Sequence, residues 1–196
     1  MKALIATIYL FLFVVVSNGQ NETSRIFQPF RVDLGTGYAL PLGGRAANNG
    51  GWLFSIEPKY GISDNVGLGL RMEISWLERT SPMSSGTEVG TGQGHYSFTF
   101  TGDYYLNTNK FRPFIGGGSG FDILGGATVS NSKKTDVTNW YDNETKFCYM
   151  LRAGFEAGLF RFGVEYNGVG DSNSSPYNNY IGFKVSGLVG GNRIKR

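Results

Sequence analysis

The chain carries one cysteine and one histidine, and each scarcity closes a class of function. A single Cys148 cannot build an internal disulfide framework. One His and one Cys offer no metal-ligand spacing, so no metal site is expected and no cofactor is implied. Charge is sparse as well, at 17 % of residues with a net of +3, and the basic residues are scattered. Nucleic-acid binding therefore has no support. Past residue 19 no long apolar run exists, which excludes a spanning helix and leaves strands as the only route across a bilayer.

What is abundant is glycine, at 30 residues, and aromatics, at 15 %. Each Gly costs about 1 kcal/mol inside a helix, so a helical bundle is disfavoured. The chain opens with Lys2, an uncharged run from Ala3 to Val16, and small residues at Ser17-Asn18-Gly19. This run is short for a membrane anchor and reads as a secretory signal peptide cleaved after Gly19, leaving residues 20–196 as one domain.

The organising signal is a period of two. From Phe30, one parity reads Phe30, Val32, Leu34, Thr36, Tyr38, Leu40 and the other Arg31, Asp33, Gly35, Gly37, Ala39. Such a strand has a greasy face and a charged or tiny one. Seven more follow, at 52–62, 66–77, 95–106, 111–124, 146–158, 161–167 and 180–189. The polar parity collects Arg31, Asp33, Glu57, Lys59, Arg71, Glu73, Asp103, Arg112, Asp122, Arg152, Glu156, Arg161, Glu165 and Lys184. Acids and bases are balanced there, as a narrow interior demands, because an unpaired buried charge costs several kcal/mol.

Connections alternate in length. Long polar stretches lie at Pro41–Gly51, Glu78–Gly94, Gly125–Thr145 and Asn167–Asn179, and tight turns near Ser63-Asp64-Asn65, Asn107–Lys110 and Leu159-Phe160. This rhythm fits an eight-stranded antiparallel up-and-down transmembrane β-barrel with its long loops outside the cell. Facing residues of a hairpin share a face, so turn length must agree with parity. The turns predict Ile62 opposite Val66, Leu106 opposite Phe111, and Gly158 opposite Arg161. The register then sets Glu57 opposite Arg71, with Arg152–Glu165 and Glu156–Arg161 as diagonal neighbours.

Alternation also suits a secreted lipocalin-like barrel holding an apolar ligand. Three features favour lipid instead. Tyr38, Trp52, Trp76, Tyr96, Tyr149 and Tyr166 gather toward the long-loop rim, and Tyr60 and Tyr104 toward the turn rim, as a membrane-interface girdle does. The polar face is crowded with Gly, Ser and Thr, which suits a cramped interior. Phe and Trp from eight strands would overfill a small barrel if they pointed inward.

Phe111-Arg-Pro-Phe-Ile-Gly-Gly-Gly-Ser-Gly-Phe121, Arg152-Ala-Gly-Phe-Glu-Ala-Gly158 with Gly163-Val-Glu-Tyr-Asn167, and Tyr180-Ile-Gly-Phe-Lys-Val185 carry a resemblance. In these the chain resembles the small outer-membrane β-barrel family of OmpA/OmpX-like domains, particularly the outer membrane protein beta-barrel domain of Bacteroidetes. The resemblance spans the mature chain and implies residence in the outer membrane of a Gram-negative bacterium. It implies outer-membrane lipids and the barrel-assembly machinery as partners, and a monomer. One departure is the end, Gly190-Gly-Asn-Arg-Ile-Lys-Arg196, where assembly signals usually carry a terminal aromatic. The peptidoglycan-binding domain of full OmpA is absent.

Chemistry is thin. His95-Tyr96-Ser97 is tested against the His-x-Ser pair of outer-membrane lipid A deacylases, which needs an acidic partner. No Asn follows the Ser, no carboxylate stands at the expected distance down the strand, and both residues lie on the inward parity. An interior hydrogen-bonding His is the expectation, and no enzyme activity. Gly116–Gly120 lacks the Lys-Ser/Thr of a phosphate loop and reads as room for neighbouring side chains. Asn21-Glu-Thr23, Asn143-Glu-Thr145 and Asn173-Ser-Ser175 match a glycosylation pattern that matters only in a eukaryotic pathway. Trp140-Tyr141, in the third long loop, is the candidate contact for an extracellular partner. The functional expectation is a non-enzymatic barrel of structural or adhesion type, plugged by paired charges. A narrow porin-like channel and the secreted apolar-ligand binder are the alternatives.

Overall fold

The computed structural model describes residues 25–42, 50–82, 88–125, 128–130, 143–171, 178–191 and 193–194. The signal-peptide segment, Trp140-Tyr141, and the Asn21 and Asn173 motifs lie outside them. Strands β1 (Phe30–Pro41), β2 (Gly51–Gly61), β3 (Val66–Pro82), β4 (Glu88–Tyr105), β5 (Phe111–Leu124), β6 (Thr128–Ser130), β7 (Glu144–Ala157), β8 (Phe160–Val169) and β9 (Tyr180–Gly190) are all antiparallel. Eight long strands pair with their sequence neighbours. β1 closes on β9 from Arg31↔Gly190 to Pro41↔Tyr180, so the sheet has no edge across the barrel wall.

The apolar parity faces out and the polar parity faces in. Phe30, Leu34, Phe54, Ile74, Phe98, Phe121, Leu151 and Phe183 are exposed, whereas the charges of the opposite parity are buried. This orientation overturns the secreted apolar-ligand reading, because the greasy residues point away from the lumen in which such a ligand would sit. Among the described residues no helix is long and apolar enough to cross a membrane.

The hairpins agree with parity everywhere, but two differ from the predicted register by two residues. Ile62 does face Val66, donating its N–H to the Val66 carbonyl at 2.9 Å. The last hairpin pairs Ala157 with Phe160 around Gly158-Leu159, not Gly158 with Arg161. Gly158 has φ of 63°, the positive value that a primed two-residue turn requires at its first central position. The predicted turn would have put Leu159 at that central position and left Gly158 in the ladder. Consequently Arg152–Glu165 and Glu156–Arg161 stand directly opposite rather than diagonally.

The second correction is at β4–β5, where Leu106 donates to the Pro113 carbonyl at 2.9 Å instead of facing Phe111. Asn107 Oδ1 accepts the Asn109 N–H at 3.0 Å, an Asx-type turn that widens the connection. Parity fixes register only modulo two; turn chemistry chooses between the survivors.

The third correction concerns the predicted loop Glu78–Gly94. β3 and β4 continue through it, pairing from Leu77↔Gln93 to Pro82↔Glu88. β6, within the predicted loop Gly125–Thr145, joins that extension through Gly90↔Ser130 to Gly92↔Thr128. A three-stranded ribbon thus rises beyond the aromatic rim.

Candidate functional site

The barrel interior is the candidate site, because its side chains are fixed by strand parity and little else. The seven cations and seven carboxylates of the polar parity are all buried, none more than 8 % exposed. Glycines make this possible. A Cβ on Gly116 would sit 2.2 Å from Asp103 Oδ1, and one on Gly69 would sit 2.8 Å from Thr101 Oγ1 and 2.9 Å from Lys59 Cγ. Small residues at these inward positions leave the volume that neighbouring charged side chains fill.

Two ionic clusters occupy the lumen. At the centre of the first, Arg152 donates to Glu57 Oε2 and Oε1 at 2.9 and 2.7 Å, and to Asp103 Oδ1 and Oδ2 at 2.7 and 3.0 Å. Asp103 also receives Lys59 at 2.7 Å and Arg161 at 2.9 Å. Glu156 gathers Arg31, Arg112 and Arg161 at 2.7–2.8 Å, with the Tyr105 hydroxyl at 2.9 Å. Lys59 Nζ lies 2.8 Å from Asp33. Bidentate, charge-assisted bonds of this type are the strong ones.

The second cluster joins Arg71 to Glu165 and to Asn167 Oδ1, the latter at 2.7 Å. Lys184 lies 2.9 Å from Glu165 and 3.6 Å from Glu73, and Tyr180 donates to Glu73 at 2.8 Å. Arg152 and Glu165, 3.8 Å apart, link the two clusters.

Thirteen of the fourteen predicted charges thus meet in one connected network. Asp122 stands apart, beside His95 Nδ1 at 3.4 Å. Glu57 and Arg71 occupy facing positions, since Ile56↔Met72 and Lys59↔Gly69 bracket them, yet they do not pair. Each reaches across the lumen instead, Glu57 to Arg152 and Arg71 to Glu165.

The inward residues to which the sequence reading gave no role are the neutral ones. Ala39, Leu53, Leu77, Leu124, Cys148, Val169 and Tyr180 form a buried cluster drawn from the long-loop ends of seven strands. They are apolar side chains at polar-parity positions, and that mismatch is the signal that could have found them. Tyr105 and Phe114, also inward, were available by the same test.

His95, Ser97 and Asp122 resemble a nucleophile–base–acid set, and β5 does supply the carboxylate that the His95 strand lacks. The set is not assembled for attack. His95 Nε2 and Ser97 Oγ each make no hydrogen bond, and both side chains are buried. Among the described residues no cluster of three or more His, Cys, Asp or Glu is placed to hold a metal ion.

On the outer wall the girdle residues Tyr38, Trp52, Tyr60, Trp76, Tyr96, Tyr104 and Tyr149 are exposed and Tyr166 is half-buried. Tyr38 and Trp52 pack edge to face at 6.1 Å, and the rings of Tyr149 and Tyr166 pack tilted at 6.0 Å.

No protein-family model matches the chain, and no curated protein matches its sequence. Solved structures do match. Yersinia pestis Ail in a phospholipid bilayer nanodisc aligns with a TM-score of 0.45 at 11 % identity, covering 82 % of this chain and 99 % of that one. The N-terminal β-barrel domain of Pseudomonas aeruginosa OprF gives 0.42 at 12 % identity, covering 83 % and 98 %. Neisserial surface protein A (NspA) gives 0.53 at 13 % identity, covering 84 % of this chain and 98 % of that one. The likeness to NspA establishes a shared fold, that of the small eight-stranded outer-membrane barrels.

Proposed function

We propose that this chain is an outer-membrane barrel of a Gram-negative bacterium, non-enzymatic, with a structural or surface-interaction role. The observation that carries the reading is the inversion of the usual arrangement: an exposed apolar wall surrounds a lumen of buried, mutually paired charges. Lipid is the solvent that makes such a wall favourable, and aromatic girdles mark its two edges. The lumen is closed to solutes by its own side chains, as eight strands leave room for little else. Interaction with an extracellular partner falls to the long-loop side, where the β3–β4–β6 ribbon rises beyond the wall. Outer-membrane lipids and the assembly machinery are its remaining partners, and the barrel works as a monomer.

Fractionation and conductance test this together. The protein should partition with the outer membrane, shift in mobility on heating, and produce no conductance steps in a planar bilayer. Recovery in the soluble supernatant would overturn membrane residence. Discrete conductance steps would replace the plug with the narrow-channel reading.

A further inference from the structure

The turn-side mouth is crossed by the segment before β1. Arg25 donates to the carbonyls of Gly61 and Ile62 at 3.0 and 3.2 Å, and Asp64 accepts the amides of Ile26 and Phe27 at 3.0 and 3.1 Å. Phe27 forms a bridge with Arg193, and Ile194 donates to Ile26 at 2.8 Å. The two ends of the described chain thereby hold each other under the barrel. This fixes the Phe27 ring 4.1 Å from the Arg112 guanidinium carbon, with the Tyr105 ring at 4.3 Å. Arg112 is 7 % exposed and gives its Nε to Glu156, yet its two Nη atoms have no hydrogen-bond partner among the described residues. Aromatic rings hold the fork in place without using its donors.

Arg112 lines a cavity of about 320 Å³ between the β4–β5 and β7–β8 turns and the end of β9. Its walls carry the cations Arg31, Lys110, Arg112 and Arg193 and a single carboxylate, Glu156. Glu156 is already engaged by three arginines. Lys110 and Arg193 are exposed and have no ion-pair partner among the described residues. The cavity is therefore electropositive. Leu159, which is 58 % exposed, lines it and leads to Phe160 on the apolar wall.

We propose that this cavity takes the phosphodiester headgroup of an anionic phospholipid from the leaflet on the turn side. The proposal rests on the membrane reading above. Guanidinium and ammonium donors converging on one point suit phosphate oxygens. The apolar outlet beside Leu159 suits an acyl chain and has no use for a free ion. A soluble phosphate shares the headgroup chemistry and not the outlet, so the test separates the two.

The full chain is reconstituted in phosphatidylcholine vesicles with trace spin-labelled phosphatidylglycerol or spin-labelled phosphatidylcholine, and the motionally restricted fraction is read by electron spin resonance. Phosphatidylglycerol should be preferred on the order of fivefold per exposed cation. The preference should fall with added salt. It should collapse toward parity in the K110Q/R193Q double variant, whose positions lie outside the buried network, and drop in Arg112→Gln. Equal restriction of both lipids in the wild type, or a preference that survives K110Q/R193Q, overturns the proposal. Displacement of the label by soluble glycerol phosphate at matched concentration overturns the lipid assignment in favour of a free phosphate. Failure of the chain to insert, seen as loss of the heat-dependent mobility shift, overturns the membrane reading and the proposal with it.

Discussion

The two ends of the lumen are built from different forces. Toward the turns, Asp103 and Glu156 each bind three cations through short, directed bonds, and Glu57 takes Arg152 in a bidentate pair. Toward the long loops, Leu53, Leu77, Leu124 and Val169 close the interior with apolar contact. The polar groups just beneath them, Ser75, Ser97 and His95 Nε2, make no protein hydrogen bond. Directed bonds demand exact placement, and the tight turns at that end hold neighbouring strands in fixed register. Apolar contact is non-directional and tolerates the long connections above it. The comparison teaches that closure of one barrel is brittle at one end and forgiving at the other.

Substitutions should expose that difference. The largest loss is expected from Arg152→Leu, which leaves Glu57 and Asp103 buried without their shared partner. Breaking a buried ion pair from one side costs about 3–5 kcal/mol. Urea unfolding in detergent micelles, followed by tryptophan fluorescence, measures it. A cost under about 1 kcal/mol would mean that the network is solvated and the contrast between ends is false.

Next comes Leu53→Ala, at the loop-side seal. Deleting a buried Leu side chain costs about 2–5 kcal/mol in a close-packed core, and the lower end applies where long connections let the rim relax. The same unfolding assay checks it. A loss matching that of Arg152→Leu would show that the apolar seal is as rigid as the ionic one.

Gly116→Ala is a smaller insult inside the ionic half. Its Cβ would meet the Asp103 carboxylate at 2.2 Å and the Gly102 carbonyl at 2.6 Å. Overpacking of this kind costs about 1–3 kcal/mol. Gly187, whose Cβ would meet nothing within 4 Å, is the matched control, and Gly187→Ala should leave unfolding unchanged.

How much of this was legible beforehand follows the reach of each signal. Alternation identified the eight strands because an exposed apolar wall on one side and a cramped polar lumen on the other impose a period of two. It stopped at Trp76 because the next residues of that parity, Glu78 and Thr80, are polar, although the ladder of β3 continues to Pro82. The charged residues of the lumen were readable by parity, but their partners were not. Glu57 faces Arg71 along the ladder and bonds Arg152 across the barrel, a choice set by strand tilt and stagger that no single hairpin encodes. The apolar seal was hidden for the opposite reason: Leu53 and Leu77 break the pattern, and a pattern search discards what breaks it.

The smallest expected effect is the sharpest test of the forgiving end. Ser97 faces Glu73 on one neighbouring strand and Asp122 on the other, yet its Oγ bonds neither. A hydroxyl that makes no protein bond in the folded state contributes nothing to lose, and its removal spares a desolvation cost. Ser97→Ala should therefore change unfolding by less than about 0.5 kcal/mol, or stabilise slightly. Thr101→Val makes the contrasting variant, because the Thr101 hydroxyl donates to Glu57 inside the ionic cluster and its loss should cost about 1.5–3 kcal/mol, the worth of a hydrogen bond to a charged group. If both substitutions cost the same, polar groups at the two ends are equally engaged, and the division of the lumen into a bonded half and a loosely satisfied half fails.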